Sequence, residues 1–319
     1  MNNGIPERNP AIDAFRGLTI LLMFIVNYLS GIEVIPAFLK HAPDIGLTVT
    51  DLIAPAFIFA IGLTYQSAFE RRQERGNAYY HFITRFLAIA GIGALFAGGA
   101  AIVSPAEANG AWGVLQAIGA AGLITLVFIR LPSLLRLVCG LVLLAAYQFM
   151  LDNFWLNEVL SSVQGGLMAS LSWGSLMILS TSLFDLYKKN EKKWLYALAS
   201  LAVLLAGIAS SFLFSVSKHR VSFSYILISA GAAACVFYII DLITRRTGNK
   251  ITFLRYLGYN PLFLYIVHML LLGVTFLPGN ENWYAKAPLW SALLQLAAFL
   301  SILFIIARAL YKRNITIKI

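Results

Sequence analysis

LKHAPDIGLTVTDLIAPAFIFAIG, residues 39–62, sets a lysine, a histidine and two aspartates directly before a long apolar run. The apolar half reads as a membrane helix, and the charged half falls where such a helix leaves the bilayer. His41, Asp44 and Asp51 therefore crowd one boundary. Asn27 lies a short way upstream, inside another apolar run.

Composition extends that reading to the whole chain. Of 319 residues, 60% are hydrophobic and 12% charged, against about 25% charged in a soluble domain, and mean hydropathy is +0.79. Ten stretches approach or exceed the length needed to cross about 30 Å of hydrocarbon as helices. They run over about 11–32, 48–69, 82–103, 112–130, 132–151, 168–186, 194–214, 222–243, 253–277 and 288–311. The expectation is an all-α polytopic membrane bundle of about ten helices, a single domain over residues 1–319. The first stretch is too long in its apolar core for a cleaved signal peptide. Cys139 and Cys235 lie inside apolar runs, so neither a disulfide framework nor a metal site is expected.

Charge placement orients the bundle. Of 24 lysines and arginines, Lys40, Lys218, Arg220 and Lys286 fall on one set of connections, Arg16 lies within the first stretch, and the rest fall on the opposite side. The cation-rich side is cytoplasmic by the positive-inside rule. Both termini are thus expected inside, and the formal charge of +10 needs no nucleic-acid partner; it suits anionic lipid. FERRQERGNAYYH (69–81) reads as a helical extension, DLYKKNEKKW (185–194) as a solvated loop, and DNFWLNEVLSSVQGG (152–166) as an interfacial or re-entrant segment. Glycines within AIAGIGALFAGGA (88–100) permit close helix packing or leave room for a ligand.

Ionisable groups within spans are functional candidates. Asp13 and Arg16 share a helical face, as an ion pair or with Arg16 turned to an anionic ligand. Thr50 or Asp51 can cap the second helix. Asn260 and His268 are separated by eight positions in one apolar stretch, about 12 Å of helical rise and roughly the same face. His268 then stands level with Asn27 and within reach of a His41 loop.

These residues carry a resemblance. IDAFRGLTILLMFIVNYLSG (12–31) and KHAPDIGLTVTDLIAPAFIFAIG (40–62) resemble the amino-terminal signature of the heparan-α-glucosaminide N-acetyltransferase family of transmembrane acyltransferases. GVLQAIG (113–119) and GYNPLFLYIVH (258–268) resemble two later family segments, in the same order. The resemblance implies transfer of an acetyl group from cytosolic acetyl-CoA to an amine, or a hydroxyl, of a sugar-like acceptor across the membrane. It implies His41 as the essential residue and Asn27 as its assistant. Asn260 and His268 would line the cavity with Asp44, and Asp51 would orient His41 or cap its helix. Arg16, Arg85, Gln116 and Asn260 are candidates for holding coenzyme A.

Two departures stand out: Ala117 replaces a family arginine that would meet coenzyme A phosphates, and SSVQGGLMASLSW (161–173) replaces an acidic, glycine-rich segment. A short, bacterial-type enzyme of the inner membrane is the implied relative. His41 can act as base or carry the acetyl group itself. The alternatives are a proton-coupled transporter, against which no broken span is evident in the sequence, and a non-catalytic ligand-binding relative. Acceptor identity, the choice between monomer and homodimer, and direct versus two-step transfer all stay open.

Overall fold

The computed structural model describes residues 9–103, 112–247, 251–276 and 278–317, and among these every regular element is helical. In order they are α1 (Pro10–Leu29), α2 (Ile53–Gln73), α3 (Ala78–Val103), α4 (Val114–Phe128), α5 (Ser133–Met150), α6 (Leu156–Leu160), α7 (Ser170–Lys189), α8 (Trp194–Ser210), α9 (Phe223–Arg246), α10 (Thr252–Tyr259), α11 (Pro261–Phe276) and α12 (Leu289–Lys312). Short 3-10 turns at Ala37–Leu39 and Val49–Leu52 lie between α1 and α2. The described chain groups into two compact units: residues up to His41 together with those from Val236, and Ala42–Cys235.

Six helical stretches are long and apolar enough to cross a membrane, or seven if the bent pair α10–α11 is one span. The expected ten are thus met in part. α4 and α8 have 15 and 17 residues, about 23 and 26 Å at 1.5 Å per residue, short of a full hydrocarbon core. α7 has length enough but carries a row of hydroxyls, and it is buried along nearly its whole length. A helix enclosed by protein needs no lipid-facing stripe, and its hydroxyls bond backbone instead. Ser180 Oγ donates to Phe59 O at 2.6 Å and Ser175 Oγ to Leu171 O at 2.9 Å.

Two expectations need correction. The stretch 253–277 is not one helix: α10 and α11 meet at a bend of 81°. Pro261 supplies no N–H, and Asn260 before it takes φ −131°, ψ 62°, outside the helical region that a following proline disfavours. The same-face relation of Asn260 and His268 therefore fails, and so does the absence of a broken span. Arg136, counted in the sequence among the cations of the cytoplasmic side, is fully buried in α5 and pairs with Asp185 of α7 at 2.6 Å. Its Nη1 also donates to Ile129 O at 3.1 Å, so the pair staples the turn between α4 and α5 onto α7. Segment 152–166 also resolves: α5 continues through a π-helical turn, Leu151–Trp155, into α6.

The first unit is built on a close crossing of α1 and α10. A Cβ on Gly17 would lie 1.8 Å from Leu254 O, and one on Gly258 would lie 1.8 Å from Asp13 O. Only two hydrogens allow the backbones to touch there.

Candidate active site

In the first unit α1 and α11 bring Asn27 and His268 together. Asn27 Nδ2 lies 3.0 Å from His268 Nε2, and His268 Nδ1 lies 2.7 Å from Tyr265 O. A carbonyl oxygen only accepts, so Nδ1 carries the proton. Nε2 then presents its lone pair to the Asn27 amide, which is a donor at that atom. His268 is fully buried, with its ring against Phe24 at a centroid distance of 5.0 Å and Tyr265 at 5.1 Å. Asn27 and His268, which the sequence set level with one another, are in contact.

His41 ends the first of the two stretches of chain that make up this unit and is exposed. Asn260 sits at the α10–α11 bend, where its Nδ2 donates to Ile315 O at 2.8 Å and its Oδ1 accepts from Ile317 N at 2.9 Å. Both faces of that amide hold the strand of backbone after α12. Asp13 is buried and Arg16 half-buried, one turn apart on α1.

In the second unit the loop after His41 is held by its two aspartates. Asp51 is fully buried, and its Oδ2 accepts from Ala42 N at 3.2 Å, Thr48 N at 3.0 Å and Thr48 Oγ1 at 3.0 Å. Thr48 and Asp51 form a reciprocal cap on the turn Val49–Leu52; Asp51 is thus the third residue of the cap, and its second task is to fix the residue that follows His41. The backbone oxygen of Asp51 accepts from Tyr225 Oη at 2.7 Å. Asp44 is gripped by Arg220, whose Nε lies 2.9 Å from both carboxylate oxygens and whose Nη2 also bonds Oδ2, while Ser217 Oγ adds a bond of 2.9 Å. Those bonds hold the Asp44 carboxyl below its usual range and lift the Arg220 guanidinium above its own.

Gln116 is buried near the start of α4, and its Oε1 accepts from Gly113 N at 2.8 Å. Ala117 beside it is 1% exposed. Arg85 is half-buried on α3, and Nε of Arg85 and of Arg72 are buried without a hydrogen-bond partner among the described residues. Both guanidinium groups act electrostatically on His81, so three basic groups cluster near the α2–α3 turn. Among the described residues no group of His, Cys, Asp and Glu could hold a metal.

The sequence reading missed Lys218, Arg220 and Tyr225. SKHR (217–220) entered only as charge on a connection, yet it carries the grip on Asp44. Lys218 is 8% exposed, and burial pulls its ammonium down to about 8 although Asp51 pushes the other way.

An all-helical protein with at least six candidate membrane spans and a buried Asn–His pair is thus the class that fold and site define. The family described as heparan-alpha-glucosaminide N-acetyltransferase, catalytic, matches residues 8–174, more than half of the chain, and the chain belongs to it. The human heparan-alpha-glucosaminide N-acetyltransferase is 33% identical over 81 residues, 25% of this chain and 12% of that protein. The matched family region includes the first three of the four resembling segments, with Asn27, His41, Asp44, Asp51, Arg85 and Gln116; GYNPLFLYIVH lies beyond it.

Proposed function

We propose that this protein is a membrane-embedded acetyltransferase that moves the acetyl group of acetyl-CoA to an amine, or a hydroxyl, of a sugar-like acceptor on the other face of the membrane. The observation that carries this reading is the family match over residues 8–174, which takes in Asn27 and His41. Both termini are cytoplasmic in this reading, and the membrane is a bacterial inner membrane.

Acyl transfer needs a base, an aligned thioester carbonyl and a donor for its oxygen. His41 is the base, or carries the acetyl group between two half-reactions. In the direct route the acceptor nitrogen bonds the carbonyl carbon, its proton passes to His41, and the C–S bond breaks. The departing thiolate then takes that proton. Asn27 gives one Nδ2 hydrogen to His268, which leaves the second for a carbonyl oxygen. His268 serves as the orienting acceptor of that amide.

Arg85 and Arg72 suit the phosphates of the donor, because each offers a buried guanidinium Nε with no hydrogen-bond partner among the described residues. Gln116 and Asn260 suit it less, since Gly113 takes the Gln116 oxygen and the carboxy-terminal backbone takes the Asn260 amide.

A second reading, a proton-coupled transporter, draws support from the bent pair α10–α11, since broken helices mark transporter sites. One experiment separates the two. Purified protein in nanodiscs is given acetyl-CoA and a panel of amino sugars, and free thiol is followed. Acceptor-dependent thiol release supports the transferase. No release from any acceptor, with sugar uptake into proteoliposomes, would replace it with the transporter.

A further inference from the structure

Residues 40–48, which carry His41, form neither helix nor strand. A side chain on irregular backbone is placed only as well as that backbone is anchored, and a misplacement of about 1 Å at a reacting group can cost about a hundredfold in rate. The anchors fall on alternate residues. Ala42 N donates to Asp51 Oδ2 at 3.2 Å, Asp44 is held through its carboxylate, and Gly46 N donates to Val216 O at 2.9 Å. The anchors on Asp44 and Gly46 both come from one distant turn, residues 216–222.

That turn is closed on itself. Ser222 N donates to Ser217 O at 3.1 Å, Ser217 N to Ser222 Oγ at 3.1 Å, and Val221 N to Lys218 O at 3.2 Å. Within it Val221 takes φ 49°, a conformation that β-branched residues very rarely adopt. The neighbouring helices hold it there, for Ser172 Oγ donates to Val221 O and Tyr147 Oη to Arg220 O, each at 2.7 Å. Residues kept in sparsely populated conformations by over-determining contacts gather at functional sites. What this one achieves is direction: it fixes the backbone beside Arg220, whose side chain reaches Asp44.

Arg220 meets the carboxylate with its planar fork, Nε at 2.9 Å from both oxygens and Nη2 on Oδ2. Ser217 Oγ donates to Asp44 Oδ1 at 2.9 Å and accepts from Arg220 N at 3.1 Å, so acid, base and turn backbone close one circuit. Such a fork fixes orientation as well as distance. Its worth to stability is small, because the two side chains are 25% and 37% exposed and ion pairs in contact with water contribute little. The contact is more specific than stability alone requires.

We propose that Arg220 is a positioning residue for His41: from the strained turn at Val221 it grips Asp44 and so holds the loop just after that histidine in the place that transfer requires. The hold on the loop stands by itself; its bearing on acetyl transfer rests on the transferase reading.

The test uses the full chain in nanodiscs. Arg220→Ala should melt close to wild type and bind acetyl-CoA as before, while kcat for acceptor-dependent release of coenzyme A falls about tenfold or more. Arg220→Lys keeps the charge and loses the fork, so its loss should be intermediate; it carries the same readings where Arg220→Ala melts low. Asp44→Asn combined with Arg220→Ala should be no slower than the slower single variant, since both act through one contact. The chain has four histidines, and with isotope-labelled imidazoles the His41 NMR resonance, identified by its loss in His41→Ala, should shift or broaden in Arg220→Ala. An unmoved His41 resonance, wild-type turnover by Arg220→Ala, or single losses that multiply in the double variant would overturn the proposal. A resonance that moves in a protein from which no acceptor releases coenzyme A upholds the hold on the loop and removes the transferase reading instead.

Discussion

Asn27 and His268, 241 positions apart, meet at 3.0 Å, and the bond from His268 Nδ1 to Tyr265 O decides which of them donates. Each holds a polar atom of the other inside apolar surroundings, where an unpaired group costs about 1–3 kcal/mol. Asn27→Leu should therefore destabilise the protein by that amount, because Nε2 of His268 loses its donor, and His268→Phe should do likewise to the amide. The double variant should lose clearly less than the two single losses added, by about 1 kcal/mol or more. Thermal melting of the four proteins measures this; additivity within about 0.5 kcal/mol would show that the two side chains do not interact. All three variants should release little coenzyme A.

Gly258 tests the helix crossing that sets α1, and with it Asn27. Its Cβ position is occupied at 1.8 Å by Asp13 O, a backbone atom that no side-chain rotation can move. Gly258→Ala should lower the melting temperature sharply, by several kcal/mol in stability. Gly273→Ala, on α11 with open space around the added Cβ, should change little. Equal behaviour of the two would mean that α1 and α10 do not cross here.

Lys218 gives the protein a pH dependence of definite sign. Burial pulls its native ammonium down to about 8 from an ordinary value of 10.5. Below pH 8 both states hold the proton, and the folded state bears the full burden of a buried charge. Above it the folded state releases the proton while the unfolded state retains it to about 10.5, so the unfolded state binds more protons and stability rises with pH. The melting temperature should climb between pH 7.5 and pH 9.5, windows taken on either side of about 8, and Lys218→Met should lose most of that climb. A variant that climbs as wild type does would place the titration elsewhere.

Much of this was legible in the residues. The level of Asn27 followed from counting 1.5 Å per residue along α1, and TVTD before an apolar run is a capping pattern. The bend at Asn260 was written in GYNPL, but the apolar run on both sides masked the break. Other features had no local signature. Arg220 and Asp44 are 176 positions apart, and Arg136 looks like any loop cation until α7 supplies Asp185. Serine-rich α7 appeared as one more span, because a hydropathy pattern records how apolar a helix is and not whether protein or lipid surrounds it.

His41 and Asp51 should separate chemistry from scaffolding within ten residues of chain. Asp51 has no exposed surface and accepts three hydrogen bonds, two of them from backbone N–H groups of Ala42 and Thr48. Asp51→Ala takes the shared acceptor away from Ala42 and Thr48, so stability should fall by about 2–4 kcal/mol, and transfer should fall with it because the loop after His41 loosens. Asp51→Asn keeps an accepting oxygen and should recover part of both. His41 is exposed, and His41→Ala should cost no more than about 0.5 kcal/mol. Its melting curve and its binding of acetyl-CoA should match wild type while acceptor-dependent release of coenzyme A disappears. A purified His41→Ala protein that turns over normally would remove this histidine from the mechanism; one that melts as low as Asp51→Ala would make it a part of the scaffold.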